Sequence, residues 1–256
     1  LIYPPLIFNT PNNKRSGKFK RIDHNPIDHL DIDPEQWLCY PAKVGELIIL
    51  VYFTVQWFEL GFSLSNLFEL AEDADLKKKP DAIYFYGIPV EGEKDPDATE
   101  TIFYDDKEND ILIGTVPFRK EYAYFGYLKK MILTLHNVKM MKIGRLPFHG
   151  AMFHIVLRNA GTSNVVLIGD TGAGKSETLE ALRGIIEDQV EDLVIIADDM
   201  GSIDILPDGR IMGYGTEIGA FVRLDDLQKD YAFGQIDRSI IMNPDQVNAR
   251  VVLPVT

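Results

Sequence analysis

The chain has 256 residues and a mass of 29.0 kDa, a length that allows one large domain or two modest ones. Its composition, 46% hydrophobic and 25% charged, is that of a globular protein and excludes a disordered, collagen-like or coiled-coil chain. With 26 Lys+Arg against 39 Asp+Glu, the net charge is −13, which opposes nonspecific binding to nucleic acids or anionic membranes. An anionic substrate therefore needs local positive groups that overcome this field.

The single cysteine, Cys39, excludes an intrachain disulfide and fits a reducing cytosol. No apolar run reaches the ~18 residues of a membrane span, and no signal peptide is visible, so we expect a cytoplasmic protein without a membrane partner. The chain opens on Leu1 rather than Met and stops directly after a strand-like segment. We expect it to be a fragment of a longer parent chain.

The first half of the chain has weak signals for regular structure. Residues 1–35 are rich in Pro, Asn and Asp and carry a basic cluster between Lys14 and Arg21. Residues 46–58 are typical of a buried strand or helix start, and an amphipathic helix is predicted from there to about Ala71. A strand is predicted at Ile83–Ile88. Residues 91–110 are strongly acidic and predict a solvated loop or hairpin, since a calcium loop would need the EF-hand spacing, which is missing.

The second half has a sharper pattern. Apolar residues at helical spacing predict a helix over 121–143 that ends at Gly144. The further predicted elements are strands at 149–157, 165–168 and 193–197, a helix at 175–186, and a hairpin turn at Pro207-Asp208-Gly209. This order indicates an α/β domain with a mostly central sheet.

The most specific motif is a phosphate loop of the form G-x-x-x-x-G-K-[ST], which consists of Gly169, Asp170, Thr171, Gly172, Ala173, Gly174, Lys175 and Ser176. Its glycines let backbone N–H groups surround a phosphate, and the predicted helix adds its positive end. Lys175 would lie between the β- and γ-phosphates of ATP, and the Ser176 hydroxyl would reach Mg²⁺. The alternative interpretation is a tight strand–helix turn without a ligand.

A buried strand that ends in acidic residues follows the phosphate loop. Five apolar residues, 193–197, lead into Asp198 and Asp199. Open α/β sheets bind ligands at the carboxyl ends of their strands, and adjacent residues of a strand point to opposite sides. One carboxylate is therefore predicted to face the Mg²⁺ of the nucleotide and the other a second metal; a solvated loop start is the alternative.

These motifs together resemble the phosphoenolpyruvate carboxykinase superfamily, which includes the ATP-dependent carboxykinases and the HPr kinase/phosphorylases. The stretch from Leu146 through the phosphate loop to Asp199 carries this resemblance. Three further segments resemble the carboxykinases in particular: Tyr-Phe-Gly-Tyr-Leu-Lys-Lys at 124–130, Glu-Ile-Gly-Ala-Phe-Val-Arg at 217–223 and Asn-Ala-Arg-Val-Val-Leu-Pro at 248–254. The separation of Lys130 from His149 matches the family's spacing between its lysine and histidine metal ligands. The resemblance covers about 115–256.

The chain departs from the carboxykinase pattern at several positions. Gly126-Tyr127 stands where the family has Gly-Glu, Gly150-Ala151 stands where it has Cys-Ser, and Arg223 replaces a lysine. The letters of the phosphate loop are closer to HPr kinase. In the first half, residues 15–18 (Arg-Ser-Gly-Lys) faintly resemble the family's Gly-Arg-Ser-Pro loop, which carries an arginine that binds oxaloacetate; a flexible basic arm is the alternative.

The resemblance implies an ATP-dependent conversion of oxaloacetate to phosphoenolpyruvate, CO₂ and ADP, a reaction of gluconeogenesis. It implies Lys130, His149 and Asp199 as ligands of Mn²⁺, and Ser176 with Asp198 as ligands of the Mg²⁺ that accompanies ATP. It implies catalytic roles for Lys175, Arg250, Tyr124 and Glu217, and a role for Arg223 in binding the cofactor. From the residues alone, Lys130 could equally be a solvated helix lysine, and the spacing of Tyr124 with Leu128 also permits a core role.

The sequence thus predicts a P-loop-containing, carboxykinase-like α/β domain with a mixed sheet over residues 116–256, its carboxyl end truncated. A smaller α/β region over residues 1–115 precedes it. Two alternatives stay open: a protein or small-molecule kinase of the HPr kinase type with His149 or an aspartate as base, and a nucleotide-binding domain without catalysis.

Overall fold

The computed structural model describes residues 4–90, 100–169, 178, 189–227 and 236–254. The chain divides into two compact units: unit 1 comprises Leu1–His136 and Ile218–Thr256, and unit 2 comprises Asn137–Glu217. This division does not follow the predicted boundary between residues 115 and 116. Its physical reason is strand pairing, because the segment at residues 6–8 pairs with the segment at 240–242 and so brings both ends of the chain into unit 1.

The strands of the described residues are, in chain order, β1 Leu6–Phe8, β2 Lys20–Ile22, β3 Trp37–Val44, β4 Leu47–Thr54, β5 Glu69–Leu70, β6 Ala82–Ile88, β7 Ile102–Asp106, β8 Ile111–Pro117, β9 Leu146–Leu157, β10 Gly161–Ile168, β11 Val190–Ile205, β12 Ile211–Gly215, β13 Gly219–Arg223, β14 Ile240–Met242 and β15 Arg250–Pro254. The α-helices are α1 Phe58–Phe62 and α2 Phe125–Lys142. Short 3₁₀ helices lie at Val55–Trp57, Ser63–Asn66, Lys120–Tyr122, Leu224–Asp226 and Ile236–Arg238. The described residues therefore form a mixed α/β protein with several sheets and few helices, and the predicted α/β class is confirmed at this level.

Unit 1 contains a seven-stranded mixed sheet, here called the N-terminal sheet, with the order β2-β7-β8-β6-β4-β3-β5. Every residue of β8 is buried, as expected for a central strand of a covered sheet. The helix α2 packs on this strand at Gly114, where an added Cβ would press against Met131 and Leu135. The predicted strand at Ile83–Ile88 is confirmed as β6.

The predicted helix that follows residues 46–58 is wrong. After β4 the chain forms only short helical turns, of which α1 spans five residues, and it re-enters the sheet at β5. Two contacts explain the short turns. Gly61 lies directly against the ring of Phe53, which leaves no room for a side chain on that face. The Ser63 hydroxyl donates to the Glu59 carbonyl at 2.7 Å and competes with continued helical bonding.

The predicted helix over 121–143 is confirmed as α2, although it begins four residues later. Tyr86 explains the late start: its hydroxyl donates to the Tyr122 carbonyl at 2.7 Å and accepts from the Tyr124 N–H at 3.2 Å. The backbone before α2 forms the 3₁₀ turn Lys120–Tyr122, and the Tyr86 hydroxyl binds it there in place of α-helical bonds. At the other end Gly144 has φ +86°, and the Arg145 N–H donates to the Met140 carbonyl at 2.9 Å, the pattern of a glycine-terminated helix.

Unit 1 also contains a four-stranded sheet, here called the C-terminal sheet, with the order β1-β14-β15-β13. Its strands β13 and β15 are antiparallel, with Phe221 opposite Val252 and Arg223 opposite Arg250. Because alternate residues of a strand share a face, Phe221, Arg223 and Arg250 lie on one side of this sheet. The other side carries an apolar cluster with the buried core Ile241, Val251 and Leu253.

Unit 2 contains an antiparallel sheet with the order β10-β9-β11-β12. The predicted strands at 149–157 and 165–168 are confirmed within β9 and β10, and the hairpin turn at residues 207–209 joins β11 to β12. The strand predicted at 193–197 is correct in place but much too short, since β11 runs on to Ile205. Asp198 and Asp199 therefore lie inside a strand that pairs with β9, rather than at its carboxyl end.

Parts of the prediction lie outside the described residues. These are most of the phosphate loop (170–176), most of the helix predicted at 175–186, and residues 91–99 of the acidic stretch. Of the phosphate-loop motif, Gly169 is described.

Candidate functional site

A histidine and an aspartate meet on neighbouring strands of unit 2. His149 on β9 and Asp199 on β11 are one register step apart, and His149 Nε2 lies 2.9 Å from Asp199 Oδ1. Their side chains are 30% and 24% exposed, so the pair is open to solvent. Asp199 has φ +84°, and a β-bulge lies between Ile195 and Ala197, so the regular alternation of side chains along β11 is interrupted here. This bulged backbone presents the carboxylate to the imidazole.

The phosphate-loop motif starts beside this pair. The N–H of Gly169, its first residue, donates to the His149 carbonyl at 3.3 Å. Gly169 directly follows β10, and the other residues of the motif lie outside the described residues. Asp198 is paired in register with Ala151 on β9.

The His149–Asp199 pair has the donor chemistry of a Mn²⁺ site. One imidazole nitrogen and one carboxylate oxygen form the mixed N/O set that this metal accepts. The 2.9 Å between Nε2 and Oδ1 is a hydrogen-bond distance, so the two side chains contact each other directly. Within the described residues no group of three or more His, Cys, Asp and Glu side chains is placed to hold a metal. The other predicted ligands are Lys130, a half-buried residue of α2, and Ser176, which is outside the described residues.

A second group of predicted residues lies in unit 1 around the hydroxyl of Tyr124. This side chain is 5% exposed and stands just before α2. Burial raises the pKa of Tyr124, while the positive charges of Arg250, Lys129 and Arg15 and a hydrogen bond with Asn248 lower it. Burial is the largest of these influences, so the phenol keeps its proton at neutral pH. We call Arg15, Tyr124, Lys129, Phe221, Asn248 and Arg250 the Tyr124 cluster.

Arg250 lies at the first position of β15, beside the ring of Phe221. Its Cζ is 5.6 Å from the ring centroid, and its Nε is buried without a hydrogen-bond partner among the described residues. The ammonium of Lys129, a residue only 2% exposed, lies 5.9 Å from the same centroid. Two cations thus share one aromatic ring next to the buried phenol.

The N-terminal segment around Arg15 contacts residues next to the Tyr124 cluster, while the exposed Arg15 guanidinium donates to the Gly17 carbonyl at 3.0 Å and lies 5.4 Å from the Phe19 ring. Asn248 Nδ2 donates to the Asn13 carbonyl at 2.7 Å. The Ser16 N–H donates to the Tyr127 hydroxyl at 3.1 Å, and that hydroxyl also contacts the Ser16 carbonyl. Residues 13–16 are therefore bound on both sides of Arg15. A flexible basic arm, one of the two interpretations of this segment, does not describe these contacts.

Two further predicted residues are not members of these two groups. Arg223, the last residue of β13, is exposed, and its Nη2 lies 3.4 Å from Asp225 Oδ2. Glu217 lies between β12 and β13, and both of its carboxylate oxygens are buried. In the strand pairing, Arg223 lies opposite Arg250.

Sequence reasoning did not select Lys129, Phe221 and Asn248, and it left Arg15 open. Lys129 is adjacent to the predicted ligand Lys130, and Asn248 and Phe221 lie inside the segments that resemble the carboxykinases. The sequence feature that could have pointed to these residues is their position within or next to those segments. Aromatic and amide residues of a strand or loop are also ordinary structural residues, so the sequence alone does not distinguish them.

Comparison with known proteins does not supply a family. No model of a known protein family matches the chain, and a search of curated proteins found no match. None of the helices in the described part of the chain combines the length and apolar character needed to cross a bilayer.

Proposed function

We propose that this chain is an ATP-dependent, phosphoenolpyruvate carboxykinase-like enzyme of the P-loop type. It would convert oxaloacetate and ATP to phosphoenolpyruvate, CO₂ and ADP, in the cytoplasm. The observation that carries the proposal is the Tyr124 cluster, in which Arg250 and Lys129 lie 5.6 and 5.9 Å from the Phe221 ring and the buried Tyr124 ring lies 6.0 Å from it. This concentration of positive charge occurs in a chain of net charge −13, where an anionic substrate requires it.

The cluster has the groups that this chemistry needs. The guanidinium groups of Arg15 and Arg250 would bind the carboxylates of oxaloacetate, for which the planar fork of arginine is well suited. The Tyr124 hydroxyl, which stays protonated because its pKa is raised, would donate a hydrogen bond to the departing carboxylate. Cleavage of the C–C bond releases CO₂ and leaves its electron pair on the enolate, whose oxygen then attacks the γ-phosphorus as ADP leaves. Arg250 would offset negative charge on the phosphoryl group during transfer.

The residues proposed to bind metal and nucleotide come from the family resemblance and from the geometry of unit 2. Bound Mn²⁺ would supply Lewis-acid stabilisation of the enolate oxygen, and His149 and Asp199 would be among the residues that hold it. Residues 169–176 would bind ATP and Asp198 its Mg²⁺. Glu217 and Arg223 remain in the proposal as a catalytic and a nucleotide-contacting residue.

The HPr kinase-type alternative is favoured by a different observation. His149 and Asp199 are hydrogen-bonding neighbours, partly exposed, and adjacent to the first residue of the phosphate loop. An aspartate that orients a histidine can make it a general base for a hydroxyl group. In that case phosphate would pass to a serine of a protein or to a small-molecule hydroxyl, and the Tyr124 cluster would not be required.

The decisive experiment follows two products in parallel. Purified protein is incubated with Mn²⁺, γ-labelled MgATP and oxaloacetate, and phosphoenolpyruvate and labelled protein are both measured. We expect phosphoenolpyruvate, and its loss in the Tyr124→Phe and Arg250→Gln variants but not in Arg210→Gln. Arg210 is a matched control because its guanidinium is 70% exposed and bound only to Asp208 at 2.7 Å.

Other outcomes discriminate between the proposals. Transfer of label to protein serine, insensitive to Tyr124→Phe, would replace the proposal with the kinase alternative. Binding of ATP without either product would favour a nucleotide-binding domain that lacks catalysis.

A further inference from the structure

The strand β10 forms one edge of the four-stranded sheet of unit 2, with β9 as its neighbour. The Gly169 N–H, one step beyond the pair of Ile168 with Gly150, donates to the His149 carbonyl. In an antiparallel pair, residues that lie opposite each other alternate between hydrogen-bonded and non-hydrogen-bonded positions. The odd-numbered residues of β10 are therefore the ones that bond to β9.

The even-numbered residues of β10 direct their N–H and C=O groups away from β9; these outward residues are Thr162, Asn164, Val166 and Ile168. The Leu167 carbonyl agrees with this alternation, because it lies against Gly150 of β9, where an added Cβ would collide with it. The backbone groups of the four outward residues have no hydrogen-bond partner among the described residues, and their side chains are exposed. The edge thus offers a row of donors and acceptors to another strand.

The other open edges in the described sheets have the protection that edge strands usually carry, and β10 does not. Strands β1, β2 and β5 contain two or three residues, β12 and β13 contain five, and β2 carries Lys20 and Arg21. The part of β11 that precedes its pairing with β12 carries Glu191 and Asp192 and two interruptions of register. By contrast, β10 has eight residues with no charge, no proline and an uninterrupted register.

The composition of β10 favours a second copy of this chain as the partner strand. Because the net charge is −13, two copies repel each other unless they meet at an uncharged surface. The outward residues are also self-complementary in an antiparallel arrangement about a two-fold axis at Val165. Thr162 would then lie opposite Ile168 of the second copy, and Asn164 opposite Val166 of the second copy. In this register each outward N–H faces a carbonyl of the other strand.

We propose that β10 is a self-pairing edge, through which two copies of the chain join their four-stranded sheets into one continuous sheet. Gly169 of one copy lies opposite Gly161 of the other in this register. The two phosphate-loop motifs therefore begin at opposite ends of the paired strands. The self-pairing is independent of the proposed function, because it depends only on the backbone and the composition of β10.

The first test measures the mass of the full chain by light scattering over a range of concentrations. We expect the mass to rise from 29.0 kDa toward twice that value as the concentration increases. Val166→Pro removes an outward N–H and places a ring in the path of the partner strand, while the bonds to β9 do not involve this N–H. It should weaken the association by at least about tenfold.

A second variant avoids the backbone constraint of proline. Val166→Lys keeps the N–H but makes the lysines of the two copies diagonal neighbours, so it should also weaken the association. Val194→Lys is the matched control: Val194 is 48% exposed against 36% for Val166 and lies on the same face of the sheet, but on β11. An equal loss in both lysine variants overturns the proposal, as does a mass of 29.0 kDa at every concentration.

The second test follows the edge itself by NMR amide hydrogen exchange at low and high concentrations of the unchanged protein. The amides of the four outward residues should exchange freely at low concentration and become protected at high concentration. The amides of Ser163, Val165 and Leu167, which bond to β9, should be protected at both. A dimer that leaves the outward amides unprotected overturns the proposal, as does their protection in the monomer.

Discussion

The Tyr124 cluster of unit 1 and the His149–Asp199 pair of unit 2 hold charged groups in different ways. In the pair, an imidazole lies 2.9 Å from a carboxylate, and both side chains are partly open to solvent. In the cluster, two cations lie beside a neutral ring and a buried phenol. The pair is thus joined by a direct polar contact, whereas an aromatic ring attracts a cation through its quadrupole and carries no counter-charge of its own.

The comparison separates two kinds of ligand. A histidine and a carboxylate together provide lone pairs, which a divalent metal binds. Protonated arginine and lysine side chains offer only N–H donors and positive charge, which an anion binds. The two groups are therefore suited to opposite partners, and substitutions should affect metal binding and anion use separately.

The largest expected effect comes from removal of a positive charge in the Tyr124 cluster. Arg250→Gln keeps a polar side chain but removes the charge, and we expect kcat for phosphoenolpyruvate formation to fall by about 10³-fold. Mn²⁺ affinity should be unchanged, because Arg250 offers no lone pair. A variant that loses Mn²⁺ binding together with activity would contradict the separation of the two groups.

The next largest effect comes from removal of the carboxylate of the His149–Asp199 pair. Asp199→Asn replaces a carboxylate oxygen with a weaker ligand, and we expect Mn²⁺ affinity to fall by about 100-fold, as measured by calorimetry. The unfolding free energy should change by less than about 1 kcal/mol, because a partly exposed ion pair adds little stability. Asp208→Asn, on the exposed turn between β11 and β12, serves as the control and should bind Mn²⁺ normally.

A smaller change tests the backbone that presents the pair. Gly150 follows His149 on β9, and a Cβ there would collide with the Leu167 carbonyl of β10. Because a backbone atom cannot swing away, Gly150→Ala should destabilise the protein by about 1–3 kcal/mol in chemical denaturation. Gly209→Asn is the matched control, since that site has open space and a φ of +84° that Asn tolerates. An equal loss in both variants would argue against the tight β9–β10 contact.

The smallest effect concerns the pH dependence of unit 1. The pKa of Tyr124 is raised by burial, so the folded state holds its proton at a pH where the unfolded chain has released it. Stability should therefore be unaffected below about pH 10 and should fall as the pH rises above it, more in the unchanged protein than in Tyr124→Phe. Removal of Arg250, whose charge lowers this pKa, should raise it further in an absorbance titration. A lower pKa in Arg250→Gln would contradict the placement of that charge.

Part of the fold was accessible from local sequence patterns. The helix α2, the strand β6, the strands β9 and β10 and the turn at residues 207–209 follow from periodicity and glycine positions, which act over a few residues. The length of β11 could not be predicted in this way, because a β-bulge and the left-handed backbone of Asp199 let one strand continue past Asp198 and Asp199. The short helical turns after β4 could not be predicted from local patterns either, because they depend on the contact of Gly61 with Phe53.

The candidate site divides in the same way. The family resemblance selected Tyr124, His149, Asp199 and Arg250, and the structure brings His149 to Asp199 and places Arg250 near Tyr124. Phe221 could not be recognised as a partner of the cations, because an apolar residue in a strand has the same local pattern whether it fills a core or faces a cation. The position of Arg15 depends on contacts with Asn248 and Tyr127 that are more than a hundred residues away in the chain.

By itself, the sequence determined the charge balance, the phosphate-loop motif and the residue types capable of metal and anion chemistry. The tertiary structure decided which of these side chains meet. The pairing of β1 with β14 and of β13 with β15 brings the two ends of the chain into unit 1, and the antiparallel strands β9 and β11 bring His149 to Asp199. The physical reason is that cation–π contacts, ion pairs and burial act through space, so their partners are set by strand pairing and not by separation along the chain.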